Sequence, residues 1–255
     1  MAEPERRTLT VGQGAAAREI AVLHRAGEGP CVVWLGGFRS DMTATKASAI
    51  DAWGARTGRA VLRIDYAGHG ASSGRFEDGT IGSWLEDALA AIEAFAEPAP
   101  VLVGSSMGGW MALLAARRMA RPPSALVLIA PAVDFTEDLM WARFSDEVRR
   151  EILETGRWMR PSEYAPGPYP ITRALIEEGR RHLLLGGPIR VGAPVRILQG
   201  MCDPDVPWEH AMRLVELLAD DDVVVTLVKD GDHRLSRDED IGRLIAAVDG
   251  AGAGA

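Results

Sequence analysis

The feature that most constrains this chain is a regular alternation of short apolar runs with longer segments of helical period. The apolar runs are rich in Val, Ile and Leu and mostly end at Gly, Pro or Asp, which is typical of strands buried on both faces of a sheet. Strands that alternate with helices predict parallel βαβ units, because parallel neighbours need a crossover connection. The predicted strands are 32–35, 60–64, 101–103, 125–129, 195–198 and 223–228, and the predicted helices are 43–57, 80–95, 110–121, 209–219 and 238–248.

Two polar-alternating pieces, at residues 7–11 and 20–24, precede this pattern and predict a solvated hairpin that leads into the sheet. A length of 255 residues is ordinary for a single α/β domain. The predicted fold is therefore a doubly wound, mostly parallel α/β sheet of about eight strands.

Residues 134–194 interrupt the alternation, because no strand is predicted there and aromatic residues mix with prolines and charges. A structureless loop of this length is improbable in a compact domain, so we predict a small helical cap inserted after the sixth strand. The alternative is a set of extra helices packed elsewhere on the core. The predicted organisation is a core of residues 1–133 and 195–250, a cap at 134–194 and a flexible tail at 251–255.

Composition and charge exclude several classes of protein. A net charge of −8 argues against sequence-independent nucleic-acid binding, which needs a surplus of Lys and Arg. Cys31 and Cys202 are too few for a disulfide framework. The first seven residues lack the apolar segment of a signal peptide, and no apolar run of membrane-spanning length occurs. These observations predict a cytoplasmic protein without a membrane span.

The pentamer Gly-Ser-Ser-Met-Gly at residues 104–108 lies between a predicted strand and a predicted helix. A Gly-x-Ser-x-Gly turn in this context is typical of a nucleophile elbow, in which the serine hydroxyl is exposed above the sheet. Ser106 is the candidate nucleophile, since the glycines are out of frame for Ser105. The alternative is a plain tight turn.

Serine needs a general base that is oriented by an acid. His233 follows the last predicted strand and is the candidate base, whereas His69 is interpreted as a loop-ordering residue. Asp203 follows strand 195–198 and is the candidate acid, with Asp205 as the competing carboxylate. The order serine, aspartate, histidine along the chain distinguishes this arrangement from other serine hydrolases.

The loop after the first parallel strand contains Gly37 and Phe38, and the N–H groups of Phe38 and Met107 are predicted to form an oxyanion hole. The alternative is a glycine turn without a catalytic purpose. No cluster of His, Cys and Asp has metal-ligand spacing, so no metal is predicted. Acyl transfer through the serine needs no other cofactor, and none is predicted. Trp141, Trp158 and Met159 are predicted, with Gly37, to contact substrate, although the three cap residues could equally form the core of the cap.

From residue 32 to residue 248 the chain resembles the α/β-hydrolases. The motifs that narrow the resemblance are Gly-Phe-Arg-Ser-Asp-Met at 37–42, Arg-Ile-Asp-Tyr-Ala-Gly at 63–68, Val-Gly-Ser-Ser-Met-Gly-Gly-Trp at 103–110, Gly-Met-Cys-Asp at 200–203 and Asp-His-Arg at 232–234. They resemble the branch that contains a mitochondrial palmitoyl-protein thioesterase with acyl-glucuronide esterase activity. Asp205 departs from the branch, which usually has an apolar residue there, and the composition suggests a bacterial relative.

The resemblance implies Ser106 as nucleophile, Asp203 as acid, His233 as base, and Phe38 and Met107 as backbone donors. It implies acyl esters or thioesters as substrates, in a small molecule or in an acylated protein. No nucleic-acid partner is expected from the charge balance, and a monomer or a homodimer is expected. The competing activities are carbon–carbon bond hydrolysis and cofactor-free perhydrolysis on the same residues. A non-catalytic binding protein of the same fold is a further alternative.

Overall fold

A single eight-stranded sheet organises the molecule. The computed structural model describes residues 3–96, 99–161, 167–218 and 221–252. The strands are β1 (Glu5–Val11), β2 (Arg18–Arg25), β3 (Glu28–Leu35), β4 (Arg59–Ile64), β5 (Val101–Ser105), β6 (Ala125–Ile129), β7 (Arg157–Arg160), β8 (Tyr169–Thr172), β9 (Val195–Gly200) and β10 (Val223–Val228). The main sheet has the order β1-β2-β4-β3-β5-β6-β9-β10, with antiparallel pairing only where β2 meets β1 and β4.

Helices cover both faces of this sheet. The α-helices are α1 (Thr45–Thr57), α2 (Ile81–Phe95), α3 (Met107–Ala116), α4 (Asp146–Thr155), α5 (Arg173–Gly179), α6 (Trp208–Leu217) and α7 (Asp238–Gly252). Side chains of α1 and α7 share one apolar cluster with one face of the strands, and side chains of α2, α3 and α6 share the other cluster. The central strands β5 and β6 are buried along their whole length, as strands covered on both faces must be. The predicted fold class is confirmed.

The chain changes direction across the sheet between β3 and β5. From β3 it crosses to β4 on one side, and after α2 it returns to β5 on the other side of β3. The register places Leu35 beside Gly104 at the carboxyl ends of these two strands. In open α/β sheets the crevice at such a reversal is the usual ligand-binding position, because the two following loops diverge there.

The segment between β6 and β9 contains both helices and strands. A π-helical turn (Thr136–Met140), a 3₁₀ turn (Trp141–Arg143), α4 and α5 lie in it, together with the antiparallel pair β7 and β8. The absence of strands predicted for residues 134–194 is therefore wrong. These two strands have four residues each and β8 includes Pro170, so neither forms the apolar run that identifies a buried strand. The division into a core and a separate cap stays a prediction.

Asp134 joins the beginning of this segment to its end. Its buried carboxylate accepts hydrogen bonds from the N–H groups of Leu184 and Leu185, at 2.9 and 2.8 Å. At the far end of the chain, α7 extends to Gly252, so residues 251 and 252 of the predicted tail are helical. Residues 253–255 of that tail, and residue 219 of the predicted helix 209–219, lie outside the described residues.

Candidate active site

Ser106 lies on the sharp turn between β5 and α3. Its φ of 55° and ψ of −119° are unusual for a residue with a side chain, so the backbone is strained at this position. The turn is held because the Ser106 N–H donates to the Ile129 carbonyl of β6 at 2.8 Å, while the Ser106 carbonyl accepts from Ala132 N–H at 3.1 Å. Tertiary hydrogen bonds on both sides thus keep the serine in place.

The two glycines that flank Ser106 are required by close backbone approach. A Cβ atom on Gly104 would lie 2.2 Å from the Gly108 carbonyl oxygen, and one on Gly108 would lie 1.9 Å from the Leu35 oxygen of β3. Both distances are far below any contact that real atoms make, so a side chain at either position would push β3, β5 and α3 apart. The Gly-x-Ser-x-Gly pattern is explained by this packing.

Ser106, His233 and Asp203 form a continuous hydrogen-bonded series. His233 Nε2 is 3.1 Å from Ser106 Oγ, and His233 Nδ1 is 2.8 Å from Asp203 Oδ2. The Asp203 side chain is fully buried, whereas the imidazole is 20% exposed. The three residues come from the loops after β5, β9 and β10, which meet because parallel strands end at the same edge of the sheet.

Asp203, and not Asp205, is the carboxylate in contact with His233. Asp203 Oδ1 accepts hydrogen bonds from the N–H groups of Asp205 and Val206, at 2.9 and 2.8 Å. Gln199, completely buried at the end of β9, donates from Nε2 to Asp203 Oδ2 at 3.3 Å and to the Val206 carbonyl at 3.0 Å. Sequence reasoning missed Gln199, and its signal was a polar residue inside an apolar strand.

Asp203, Asp205 and His233 also place one potential ligand atom each within 4.8 Å of one another. The chemistry of the group favours an acid–base pair, because the short contact between Asp203 and His233 occupies the imidazole Nδ1 and one carboxylate oxygen. The second oxygen of Asp203 is held by two backbone N–H groups. The geometry therefore fits a histidine that is oriented by a carboxylate.

The loop after β3 passes next to Ser106. A Cβ atom on Gly37 would lie 3.3 Å from Ser106 Cβ and 3.2 Å from the Ser105 carbonyl oxygen. Phe38 follows Gly37, and Met107 is the first residue of α3, where backbone N–H groups have no acceptor within the helix. Among the described residues, no hydrogen bond is made by either N–H. Both are thus available to an oxygen bound at Ser106.

His69 stabilises the same loop through a hydrogen bond to its backbone. Burial lowers the pKa of its imidazole to about 4, so the ring is neutral. The ring nitrogen Nδ1 lies 3.2 Å from the Ala67 carbonyl, and Nε2 accepts the N–H of Arg39 at 3.2 Å. Arg39 has a φ of 61°, and this hydrogen bond stabilises that conformation next to Phe38. The contacts agree with the interpretation of His69 as a loop-ordering residue.

Two clefts open on Ser106 and His233. The cap cleft, of about 590 Å³, lies between the sheet edge and side chains of residues 135–161 together with Tyr169. The α1 cleft, of about 620 Å³, lies on the side of α1. Phe38 and Tyr169 line both clefts. Most residues that line the cap cleft are apolar or aromatic, among them Phe38, Ala132, Phe135, Leu139, Met140, Phe144, Trp158, Tyr169 and Val206. Arg143, Arg160 and Asp205 are its charged members.

Of the three cap residues predicted to contact substrate, only Trp158 lines a cleft. Met159 points away from it and is 41% exposed, because successive side chains of a strand face opposite sides. Trp141 lies between two arginines, with the guanidinium groups of Arg180 and Arg149 at 5.1 and 5.7 Å from its ring. Sequence reasoning missed Phe135, Phe144 and Tyr169 as cleft residues, because no local pattern marks which aromatic side chains face inward.

The strand order, the strained serine turn and the hydrogen-bonded histidine together define an α/β hydrolase. Residues 32–247 match the alpha/beta hydrolase family, and the chain belongs to that family. It is 37% identical over 227 residues to the human palmitoyl-protein thioesterase ABHD10, mitochondrial, covering 88% of this chain and 73% of the relative. The bovine protein of the same name is 39% identical over 226 residues, with the same coverage.

Solved structures agree with this assignment. A protein of Agrobacterium vitis S4 superimposes with a TM-score of 0.94 and 51% identity, covering 98% of this chain and all of the other. The mouse alpha/beta hydrolase domain-containing protein 10 superimposes with a TM-score of 0.84 and 33% identity, covering 96% of this chain and 97% of its own. By family and fold, this chain is a hydrolase.

The predicted cytoplasmic location is wrong. The curated relatives are named as mitochondrial proteins, and this finding contradicts the cytoplasmic prediction. Composition, cysteine number and the first residues of the sequence, on which the prediction rests, do not identify a compartment by themselves. Separately, no helix of the described part of the chain has the length and apolar character needed to cross a membrane.

Proposed function

We propose that this hydrolase cleaves carboxylic esters or thioesters through an acyl-enzyme on Ser106. The observation that carries the proposal is the series Ser106 Oγ, His233 and Asp203, with contacts of 3.1 and 2.8 Å. Because Asp203 accepts a hydrogen bond from the protonated Nδ1 of His233, the lone pair of Nε2 faces the serine hydroxyl. A serine in this environment is activated as a nucleophile without any cofactor.

In the first half-reaction Ser106 Oγ attacks the carbonyl carbon of the substrate while His233 Nε2 takes the hydroxyl proton. The carbonyl oxygen becomes an oxyanion, and the N–H groups of Phe38 and Met107 stabilise it, each by about 2.7–4 kcal/mol in comparable sites. The imidazolium is stabilised by Asp203. It then donates its proton to the departing oxygen or sulfur, and the acyl group stays on Ser106.

In the second half-reaction His233 removes a proton from a water molecule, which attacks the acyl-enzyme. Collapse of the second oxyanion releases the carboxylic acid and returns the proton to Ser106 Oγ. The apolar wall of the cap cleft supports an apolar acyl group as the part of the substrate that lies there. The curated relatives are named palmitoyl-protein thioesterases, which supports thioesters among the substrates.

The test compares wild type with Ser106→Ala on p-nitrophenyl esters and acyl thioesters of increasing chain length. We expect kcat/KM to fall by about 10⁴-fold or more, since a missing nucleophile leaves only binding and oxyanion stabilisation. Ser105→Ala is the matched control, because in the described part of the chain no hydrogen bond joins this neighbouring buried serine to His233. It should retain kcat/KM within about tenfold of wild type.

A fluorophosphonate probe gives a second readout, since it labels an activated serine irrespective of the substrate. Labelling of wild type that disappears in Ser106→Ala supports the proposal. Equal turnover by Ser106→Ala and wild type would remove Ser106 from the mechanism. A folded wild type that neither turns over esters nor reacts with the probe would favour a non-catalytic binding protein.

A further inference from the structure

Positive charge is concentrated beside Ser106 in the α1 cleft. Arg39, Lys46 and Arg234 line this cleft together with Ser106 and His233. None of its lining residues, among those the structure describes, is an aspartate or a glutamate. This local surplus contrasts with a chain that carries 36 acidic and 28 basic residues and a net charge of −8.

The three cations come from three separate segments and are held without neutralising partners. The Arg39 guanidinium lies 4.4 Å from the centre of the Tyr169 ring, and Lys46 Nζ donates to the backbone carbonyl of Arg234. Within the described part of the chain, no carboxylate forms an ion pair with any of them. Asp232 and Asp240 act on Lys46 only at longer range, and Asp240 is already paired with two other arginines.

Uncharged hydrogen-bond donors also line the α1 cleft. The first turn of α1 borders the cleft through Ala44, Thr45 and Lys46, and Ala44 provides no side-chain cap for the helix N-terminus. The free amide groups of the first turn of α1 therefore present the positive end of the helix to the cleft. Trp34, also in the cleft wall, is 1% exposed, and its indole N–H has no hydrogen-bond partner among the described residues. An indole nitrogen is a donor only, so it requires an acceptor.

The position of this cleft relative to Ser106 assigns it to one part of the substrate. Two clefts meet at the serine, and the wall of the cap cleft is mostly apolar, as suits an acyl group, although Arg143, Arg160 and Asp205 also line it. The departing alcohol or thiol must then lie on the opposite side of the carbonyl carbon, toward α1. Donors and cations in the absence of acids select an anion at that position.

Resting on the proposed function, we infer that the α1 cleft binds the leaving group of the substrate and that this leaving group carries a phosphate. A phosphate monoester has up to two negative charges and three acceptor oxygens, which match three cations and several N–H and hydroxyl donors. A carboxylate has one negative charge and two acceptor oxygens, so it would neutralise only part of the positive charge in the cleft.

The test uses pairs of substrates that share an acyl group and differ in one anionic group on the leaving group. The first pair is butanoyl-pantetheine and butanoyl-4′-phosphopantetheine, and the second is 4-nitrophenyl butanoate and 3-carboxy-4-nitrophenyl butanoate. For wild type we expect kcat/KM to be higher for the phosphorylated thioester than for its neutral partner by about tenfold or more. We expect a smaller preference in the carboxylate pair.

Arg39→Gln and Arg234→Gln should each reduce the preference for the phosphorylated thioester by about three- to tenfold. The preference is the ratio of two kcat/KM values measured on the same variant. A general loss of activity caused by disturbance of His233 lowers both values and cancels in the ratio. Arg117→Gln is the matched control, because Arg117 is exposed at the end of α3 and lines neither cleft. It should keep the wild-type ratio.

Equal kcat/KM within both pairs would overturn the inference. A preference confined to the carboxylate pair would overturn the assignment to phosphate. A wild-type preference that survives in Arg39→Gln and Arg234→Gln would overturn the assignment to this cleft. Failure of the proposed function is a different result, namely turnover of the neutral substrates that does not depend on Ser106.

Discussion

At the scale of single residues, two carboxylates that lie two positions apart in sequence have different roles beside His233. Asp203 contacts the imidazole, whereas Asp205 provides a backbone N–H that holds the Asp203 carboxylate. The sequence could not separate them, since both follow the same strand. The choice depends on how the loop after β9 folds back on Gln199 and Val206.

Asp203→Asn should lower kcat by about 10⁴-fold, because an amide no longer selects the imidazole tautomer with its lone pair toward Ser106. Asp205→Asn is the matched control and should change kcat by less than about tenfold. Steady-state kinetics on one ester near neutral pH measure both effects. A larger loss in Asp205→Asn than in Asp203→Asn would contradict the assignment of the acid.

Gly108→Ala should destabilise the fold by about 1–3 kcal/mol or more, because the added methyl group would lie 1.9 Å from the Leu35 carbonyl oxygen. Gly242→Ala is the control. Gly242 lies in α7 with open space around its Cβ position, so alanine should stabilise the fold by about 0.5–1 kcal/mol. Urea unfolding measures both, and the same sign for the two variants would contradict this explanation of the elbow glycines.

At the scale of elements, local patterns predicted the main strands and helices but not the hairpin of the cap. The central strands β5 and β6 are apolar runs that are buried along their whole length. The strands β7 and β8 are short and half-exposed, and they depend on each other for their hydrogen bonds. Their alternation decides which cap residues face the cap cleft.

Trp158→Ala should raise KM for esters of apolar acyl groups by about tenfold, because Trp158 lines the cap cleft and its removal leaves a void there. Met159→Ala, one position further and on the opposite face of β7, should leave KM within about twofold of wild type. A series of p-nitrophenyl esters measures both effects. Equal effects of the two substitutions would contradict the described orientation of β7.

At the scale of the whole molecule, stability should depend on pH through His69. Burial keeps the pKa of its imidazole at about 4 in the folded state, against 6.5 for an ordinary histidine. Between these values the unfolded chain binds a proton that the folded chain does not bind, so stability falls as the pH drops below 6.5. Acidification from neutral pH to about pH 5 should lower the free energy of unfolding by about 2 kcal/mol through His69.

His69→Gln tests this pH dependence, since glutamine retains an acceptor for the Arg39 N–H and does not titrate. The difference in unfolding free energy between pH 7.5 and pH 5 should be smaller in the variant than in wild type by about 2 kcal/mol. His24 and His210, whose pKa values are also lowered by burial, remain in both proteins and cancel in the comparison. An identical pH dependence in the two proteins would show that His69 does not carry it.

The sequence by itself determined the fold class and the position of the strained serine turn. Both are marked by local patterns, because each apolar run and the Gly-x-Ser-x-Gly spacing lie within a few residues of the chain. Only the tertiary structure decided which carboxylate meets His233, which cap aromatics face Ser106 and where three unpaired cations converge. These contacts join residues far apart in sequence. They depend on how loops from neighbouring strand ends fold over one another, which no local pattern encodes.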